Sequence, residues 1–290
     1  MGKIKRNAII MAAGTASRFV PLSAECPKGL LEVKGEILIE RQIHQLQEAG
    51  IEDITIVVGY KAEMFLYLKH KYGVDIINNE DYYRYNNTSS IMRVIDRLSN
   101  TYICSSDNYF SKNVFFEEPI QSYYSALYAE GVTCEYCLTF DENDNITDVQ
   151  VGGADSWYMV GHVYFNDEFS TAFSKLLVEE YEKEETKQGY WEDVYIRNLQ
   201  QLPLMKIHQY KEHEIEEFDS IDELRLFDDS YTRNTRSSVV KYIANLLNCS
   251  EAELHSFTRL KHNKDYLLFT FIKDDETFCY NQQNRTIQKL

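Results

Sequence analysis

Apolar positions along the chain alternate between short runs and helical stripes. Asn7 to Ala12 is an apolar run closed by Gly14, the pattern of a buried parallel strand. From Glu36 to Ala49, Ile39, Ile43, Leu46 and Ala49 recur at steps of four and three, which is one helix face, and Gly50 is its stop. Ile54–Val58 predicts a second strand. Ala62–Tyr72 predicts a second helix, with Phe65, Leu68 and Tyr72 on its stripe and Gly73 ending it, and Val74–Ile77 predicts a third strand. Thr88 or Ser89 caps a further helix through Leu98, and Thr101–Ser105 is a fourth strand. Such alternation with short links predicts an α/β fold in three layers, a mostly parallel sheet between helices. Ligands of such sheets bind at the carboxyl ends of the strands, so the loops after the first and fourth strands are where chemistry is expected.

After Asp107 the pattern changes. Tyr123 to Asn166 reads as extended segments with turns at Asp141-Glu142-Asn143-Asp144-Asn145 and Gly152-Gly153. Glu168 to Lys187 reads as a helix, acidic on its outer face. Thr232 to Arg236 reads as a linker, Ser237 to Leu247 as a short helix, and Tyr266–Ile272 with Thr277–Tyr280 as a hairpin. The chain is therefore expected to divide into a domain over 1–232 and a small α+β unit over 237–290.

Composition limits the function classes. The 290 residues are 44% apolar and 26% charged, ordinary for a globular protein, and the net charge of −16 disfavours an extended nucleic-acid surface. The start, Met1-Gly2-Lys3-Ile4-Lys5-Arg6, runs into only a short apolar stretch to Ala13, too short to span a bilayer. Six cysteines are too sparse for a disulfide scaffold, and a cytoplasmic protein without membrane insertion is the expectation.

The chemistry begins in the first loop: Ala12-Ala13-Gly14-Thr15-Ala16-Ser17-Arg18-Phe19, then Pro21-Leu22, then Pro27-Lys28. A glycine after a strand can turn back with positive φ and present N–H groups to an anion. Arg18 offers a fork of donors for phosphate oxygens, and Lys28 a point charge. No Gly-Lys-Ser/Thr follows, so this is not a P-loop, and a dinucleotide fingerprint needs more glycines.

Extended through Pro27-Lys28-Gly29-Leu30-Leu31-Glu32-Val33-Lys34-Gly35, the pattern resembles the signature of sugar-phosphate and choline-phosphate nucleotidyltransferases, the MobA-like NTP transferases. The resemblance covers roughly residues 7 to 230 and is strongest through Asp107. One position departs: Ala16 stands where the family usually has a second glycine. Later segments resemble the branch that makes CDP-linked small alcohols, such as bacterial-type CTP:phosphocholine cytidylyltransferases. There the run Tyr85-Asn86-Asn87-Thr88-Ser89-Ser90 resembles the segment facing the cytosine, with Asn87 and Ser89 suited to a pyrimidine edge; the same residues suit a helix start. Ser105-Ser106-Asp107-Asn108 and Glu217-Phe218-Asp219-Ser220 resemble the segments that supply two metal-binding aspartates, implying Mg²⁺ on Asp107 and Asp219, with Ser106 near the nucleotide.

The resemblance implies attack of a substrate phosphate oxygen on the α-phosphorus of CTP, with pyrophosphate leaving. Such transfers rest on positioning and on neutralising charge, here by Lys28, Arg18 and the metal, and a phosphate monoester needs no general base. The acceptor pocket is expected around Asp155-Ser156-Trp157-Tyr158 and Tyr190-Trp191-Glu192-Asp193, because aromatic faces with a carboxylate hold a quaternary ammonium. The bland alternative is that Trp157 and Trp191 are core residues. A phospho-amine, an aminoalkylphosphonate or a sugar phosphate is the alternative acceptor, and a non-catalytic nucleotide-binding regulator the alternative class.

Other motifs carry less. Cys134-Glu135-Tyr136-Cys137 reads as a strand with its two thiols on opposite faces, and His162 as a packed strand histidine. The C-terminal order of helix then hairpin loosely resembles the opening of choline-kinase-like proteins, without kinase motifs. A homodimerisation or packing role is the default expectation for it.

Overall fold

The structure, a computed structural model, describes residues 4–116, 118–260 and 267–290. Of the expectations above, those for Met1-Gly2-Lys3 and for Tyr266 at the start of the hairpin lie outside the described residues. The chain forms two compact units: one of the residues up to Gly14 with Ile39–Glu217, the other of Thr15–Leu38 with Phe218–Leu290.

The first unit is built on a seven-stranded sheet in the order Lys206–Gln209, Tyr123–Phe140, Ile146–Phe165, Thr101–Ser105, Asn7–Ala12, Asp53–Val58, Asp75–Asn78. Asn7–Ala12 is central and parallel to both neighbours, and Ala8, Ile9 and Ile10 are fully buried, as a strand covered on both faces requires. The helix Leu38–Glu48 turns Ile39, Ile43 and Leu46 inward, and Gly50, at φ +77°, follows its end. The Rossmann-like αβα expectation holds for this unit. Ile146–Phe165 runs antiparallel to both neighbours, so the sheet is mixed.

Several elements differ in extent. The second helix divides into a 3₁₀ turn, Ala62–Phe65, and a helix, Tyr67–Tyr72, capped by left-handed Gly73. The expected helix through Leu98 is the short Asn87–Met92. Its cap is Asn86, not Thr88 or Ser89, and a separate 3₁₀ turn covers Ile95–Arg97. The acidic helix breaks after Glu180 and resumes over Glu184–Gln188.

The turn at residues 141–145 forms as expected: Asp141 Oδ1 accepts the N–H groups of Asn143 and Asn145, each at 2.9 Å. Gly152-Gly153 is not a turn. It lies inside a long strand, where Gly152 at φ +80° sits opposite a bulge that puts one extra residue between Thr133 and Tyr136.

The second unit holds a four-stranded antiparallel sheet, His255–Arg259, Leu268–Lys273, Glu276–Asn281 and Thr286–Lys289, and the helix Ser238–Leu246. Val240, Ile243, Leu254, Phe269 and Phe271 are buried. Thr232 to Arg236 is no linker: a helix covers Ser230–Arg233, and Thr235 is fully buried, giving its N–H and hydroxyl to Glu251. The division near residue 235 is thus replaced by one after Glu217, and the first loop belongs to the C-terminal unit from Thr15 onward.

Candidate active site

Three loops leave the carboxyl edge of the first unit's sheet at one level. Ala12 lies opposite Val58, and Met11 opposite Ser105. Ala12 and Ala13 are buried, and the Ala13 carbonyl accepts the N–H of Tyr60 at 3.1 Å. Ser106 donates its N–H to the Met11 carbonyl at 3.1 Å, which fixes the turn that carries Asp107. Ser105 Oγ donates to Asp107 Oδ1 at 2.6 Å and orients this partly buried carboxylate. The next residues, Asn108–Phe110, pair with Ile215–Glu217 and set Glu217 against Asn108.

The glycine turn differs from expectation. Gly14 is exposed and is not among the left-handed residues, and a Cβ built on it meets nothing within 4 Å. The left-handed residue is Ala16, at φ +45°. The positive φ assigned to Gly14 therefore falls two residues later, at the position where the family usually has glycine.

In the second unit Thr15, Ser17 and Arg18 are exposed. Among the described residues, the N–H groups of Thr15, Ala16 and Ser17 donate to no backbone carbonyl. The Phe19 N–H donates to the Ala16 carbonyl at 2.9 Å, and buried Phe19, Val20 and Leu22 anchor the segment. Consecutive N–H groups without backbone acceptors suit an anion. Lys28 is buried, 5.8 Å from the Phe19 ring centroid, with Nζ 3.5 Å from Asp219 Oδ1. Arg18 Nη1 lies 2.9 Å from Asp219 Oδ2. Arg18 and Lys28 thus form one charged cluster with Asp219, which lies about 200 positions further along the chain.

A second cluster lies within the first unit. The Asn87 side chain serves the start of the helix Trp191–Arg197: its Oδ1 accepts the Trp191 N–H at 2.9 Å, and its Nδ2 donates to Glu192 at 3.3 Å. Buried Ser89 donates to the Asn86 carbonyl and accepts from Asn79, so its hydroxyl works inside the unit. Tyr124 Oη donates to Glu192 at 3.2 Å, and Tyr136 Oη to Asp193 at 2.9 Å. Desolvation raises the Glu192 carboxyl to about 7, against the hydrogen bonds from Asn87 and Tyr124, which favour its charged form. Asp193 also accepts the N–H of exposed Tyr190, closing a capping box.

The expected aromatic residues differ in their surroundings. Trp191 is 3% exposed, stacks on Tyr124 with centroids 5.9 Å apart, and packs edge-on against Phe165 and Phe173 in the core. Half-buried Trp157 meets Tyr128 edge-on at 5.4 Å, and Tyr158 beside it is half-buried. Sequence reasoning missed Tyr124 and Tyr136. Nothing in their local pattern marks them, because their partners lie 68 and 57 positions away. His162 is a packed strand histidine, as expected: burial lowers its ring to about 3, and Tyr123 lies 3.1 Å from Nε2. Cys134 is exposed and Cys137 buried, in line with opposite faces.

Asp107 in the first unit and Asp219 in the second each offer hard oxygen donors, a chemistry that fits the taste of Mg²⁺ for carboxylates together with substrate phosphates. No cluster of three or more His, Cys, Asp or Glu suited to a metal occurs among the described residues, and a site completed by a triphosphate needs none. Nor is any described helix long and apolar enough to cross a membrane.

Comparison with known proteins bears on this arrangement. Residues 8–124 match the model of the MobA-like NTP transferase domain. The chain is 36% identical to the 2-aminoethylphosphonate cytidylyltransferase of Lancefieldella rimae, over 80% of this chain and 96% of the relative. It is 33% identical to the choline-phosphate cytidylyltransferase of Streptococcus pneumoniae, over 76% of this chain and 95% of that one. The solved structure of the CTP:phosphocholine cytidylyltransferase from Streptococcus pneumoniae aligns with a TM-score of 0.75 at 33% identity, covering 78% of this chain and 99% of that structure. The inositol-1-phosphate CTP transferase of T. maritima, at 15% identity and a TM-score of 0.59, shares the fold. The signature string, the sheet of the first unit and these similarities agree: the chain belongs to the MobA-like NTP transferase family and is a nucleotidyltransferase.

Proposed function

We propose that the protein is a cytidylyltransferase that joins CTP to a small cationic phosphate or phosphonate, releasing pyrophosphate. The observation that carries the acceptor class is the Glu192 carboxylate, ordered by Tyr124 and Asn87 at the start of one helix with Asp193 beside it. A carboxylate held there is a receptor for a cationic head, and binding a cation returns it to its charged form.

In this reading the N–H groups of Thr15 to Ser17 hold phosphate oxygens of the nucleotide. Lys28, buried and fixed, stabilises negative charge developing at the α-phosphorus, and Arg18 draws the leaving pyrophosphate. Asp107 and Asp219 would hold Mg²⁺, which neutralises phosphate charge when bound. The acceptor's own phosphate oxygen is the nucleophile, so no side chain needs to take a proton. Asn87 acts through Glu192 as its positioning partner. The reaction is placed in the cytoplasm.

Phosphocholine is the acceptor this reading takes first, with the tyrosine faces and carboxylates meeting its trimethylammonium. A second reading, 2-aminoethylphosphonate or phosphoethanolamine, is favoured by one observation. Trp191 is engaged in the core, and the partners of both carboxylates are tyrosine hydroxyls, which suit the N–H donors of a primary ammonium. The test is pyrophosphate release with Mg²⁺ from each of four nucleotides against phosphocholine, phosphoethanolamine, 2-aminoethylphosphonate and a sugar 1-phosphate. CTP with one of the cationic acceptors is expected to lead. Turnover only with a sugar phosphate, or only with another nucleotide, overturns the proposal.

A further inference from the structure

The second unit contains a contact that nucleotidyl transfer does not by itself require. Glu25 ends the helix Leu22–Glu25, three residues before Lys28. Its carboxylate accepts four hydrogen bonds from the start of the helix Ser238–Leu246. Oε1 takes the Ser237 hydroxyl at 2.5 Å and the Val239 N–H at 3.3 Å. Oε2 takes the Ser238 N–H at 2.9 Å and the Ser238 hydroxyl at 2.5 Å. Ser237 is at once that helix's own cap, accepting the Val240 N–H at 3.1 Å. The first turn of a helix leaves its N–H groups without helical partners and favours negative charge, so a carboxylate there is doubly matched.

The same stretch of chain is fastened further along. The Tyr231 hydroxyl donates to the Glu32 carbonyl at 2.8 Å, and the Lys34 N–H to Asp228 at 2.7 Å. Arg236 lies 3.2 Å from the Glu32 carboxylate and over the Tyr231 ring at 4.1 Å. Between these points and the Asp219 pairings, residues 18–34 are held by residues 219–239. The two cytidylyltransferases compared above are spanned almost whole by 80% or less of this chain, so the chain carries further residues that those relatives do not match.

We propose that Glu25 is a positioning residue for the nucleotide loop: through its clasp on the Ser238–Leu246 helix it holds the backbone that carries Lys28, and it makes the C-terminal unit part of the transferase machinery. This rests on the loop's role stated under Proposed function. An attached but unrelated module would leave the loop's order untouched when the clasp is cut. A positioning clasp would not.

The test compares full-length wild type with Glu25→Ala, Glu25→Gln and the milder Ser238→Ala, which removes one hydroxyl and keeps the backbone N–H. Hydrogen–deuterium exchange over residues 15–31 is expected to speed up at least tenfold in Glu25→Ala and Glu25→Gln, and less in Ser238→Ala, with the sheet strands of the first unit unchanged. In turnover, KM for the nucleotide is expected to rise about tenfold or kcat to fall as much, while KM for the acceptor stays within twofold. Wild-type exchange over 15–31 in folded Glu25→Gln and Ser238→Ala overturns the proposal, as does an equal rise in both KM values. If wild type turns over no substrate pair, the functional reading fails, and the exchange experiment still decides the clasp.

Discussion

Lys28 Nζ and Asp219 Oδ1 are 3.5 Å apart, and the other oxygen of that carboxylate lies 2.9 Å from Arg18. One aspartate therefore holds both cations to which the proposed transfer assigns a role. Lys28 is buried and its pairing is shielded, whereas Arg18 is 77% exposed at its side chain and its pair is screened by water and salt. Lys28→Met is expected to lower kcat by roughly 10²–10³-fold, the size typical of removing a fixed transition-state donor. Arg18→Ala is expected to change stability by less than about 1 kcal/mol while weakening nucleotide binding, since an exposed ion pair contributes little to folding. Steady-state kinetics with denaturant melts check both. A Lys28→Met enzyme with wild-type kcat removes Lys28 from the mechanism.

Asp107 and Asp219 are expected to differ under metal titration. Asp107→Ala should abolish pyrophosphate release at every Mg²⁺ concentration with the melting curve preserved, because its side chain is partly exposed. Asp219→Asn should raise the Mg²⁺ concentration for half-maximal rate and also loosen Lys28 and Arg18, so excess metal restores only part of the rate. Full restoration by metal would show that Asp219 does not position the two cations.

The parallel strands were legible because buried strands write continuous apolar runs and their helices carry stripes, as Asn7–Ala12 and Ile39-Ile43-Leu46 do. The signature loop was legible as a local string. What periodicity could not show is that Thr15–Leu38 packs with residues beyond Phe218, since a compact unit built from distant segments leaves no local mark. The same reason hid the Tyr124 and Tyr136 partners of Glu192 and Asp193. Trp191 shows another limit: an aromatic next to two carboxylates looks like a binding box in sequence, and only the structure shows that its ring packs between Tyr124, Phe165 and Phe173 while the Glu192 carboxylate takes the hydroxyl of the same Tyr124.

The two tryptophans separate core from site by mutation. Trp191→Ala is expected to cost about 3–5 kcal/mol of stability, the range for removing a buried large aromatic. Half-buried Trp157→Ala should cost less, and it raises the acceptor KM only if Trp157 faces the acceptor. Chemical denaturation paired with acceptor KM decides this. A Trp191→Ala protein of wild-type stability contradicts its core placement.

Glu192 sets an expected pH dependence. Its carboxyl sits at about 7 in the folded protein against an ordinary value of 4.5. Between these values the folded chain holds a proton that the unfolded chain has released. The contribution of this group to stability is therefore greatest below about pH 4.5 and is lost as pH rises through about 7, by up to about 3 kcal/mol at 1.36 kcal/mol per unit. Cation binding runs the other way, because the charged carboxylate is the binding form. The acceptor KM is expected to fall as pH rises from 5.5 to 8. Because a phosphate monoester also titrates near 6, the informative measurement is the difference between wild type and Glu192→Gln. The variant should lose both the stability slope and the wild-type part of the KM trend. An unchanged acceptor KM in Glu192→Gln at every pH removes Glu192 from the acceptor site.

Ala16 tests the loop from the opposite direction, by improvement. At φ +45° its Cβ crowds the neighbouring carbonyl, a strain of about 1–2 kcal/mol for a residue other than glycine. Ala16→Gly relieves that strain and gives back about 0.4–1 kcal/mol through greater freedom of the unfolded chain, for a net gain of roughly 0.5–1 kcal/mol. Losing the methyl also clears the approach to the N–H groups of Thr15 to Ser17. The expected outcome is a slightly raised melting temperature with a nucleotide KM equal to or below wild type. Gly14→Ala should be tolerated by the fold, since that backbone is not left-handed and the added methyl meets nothing within 4 Å, but it should raise the nucleotide KM by crowding the phosphate. Thermal melts with nucleotide titration of the two variants check this pair. A Gly14→Ala protein that binds nucleotide like wild type would show that the triphosphate does not pass over Gly14.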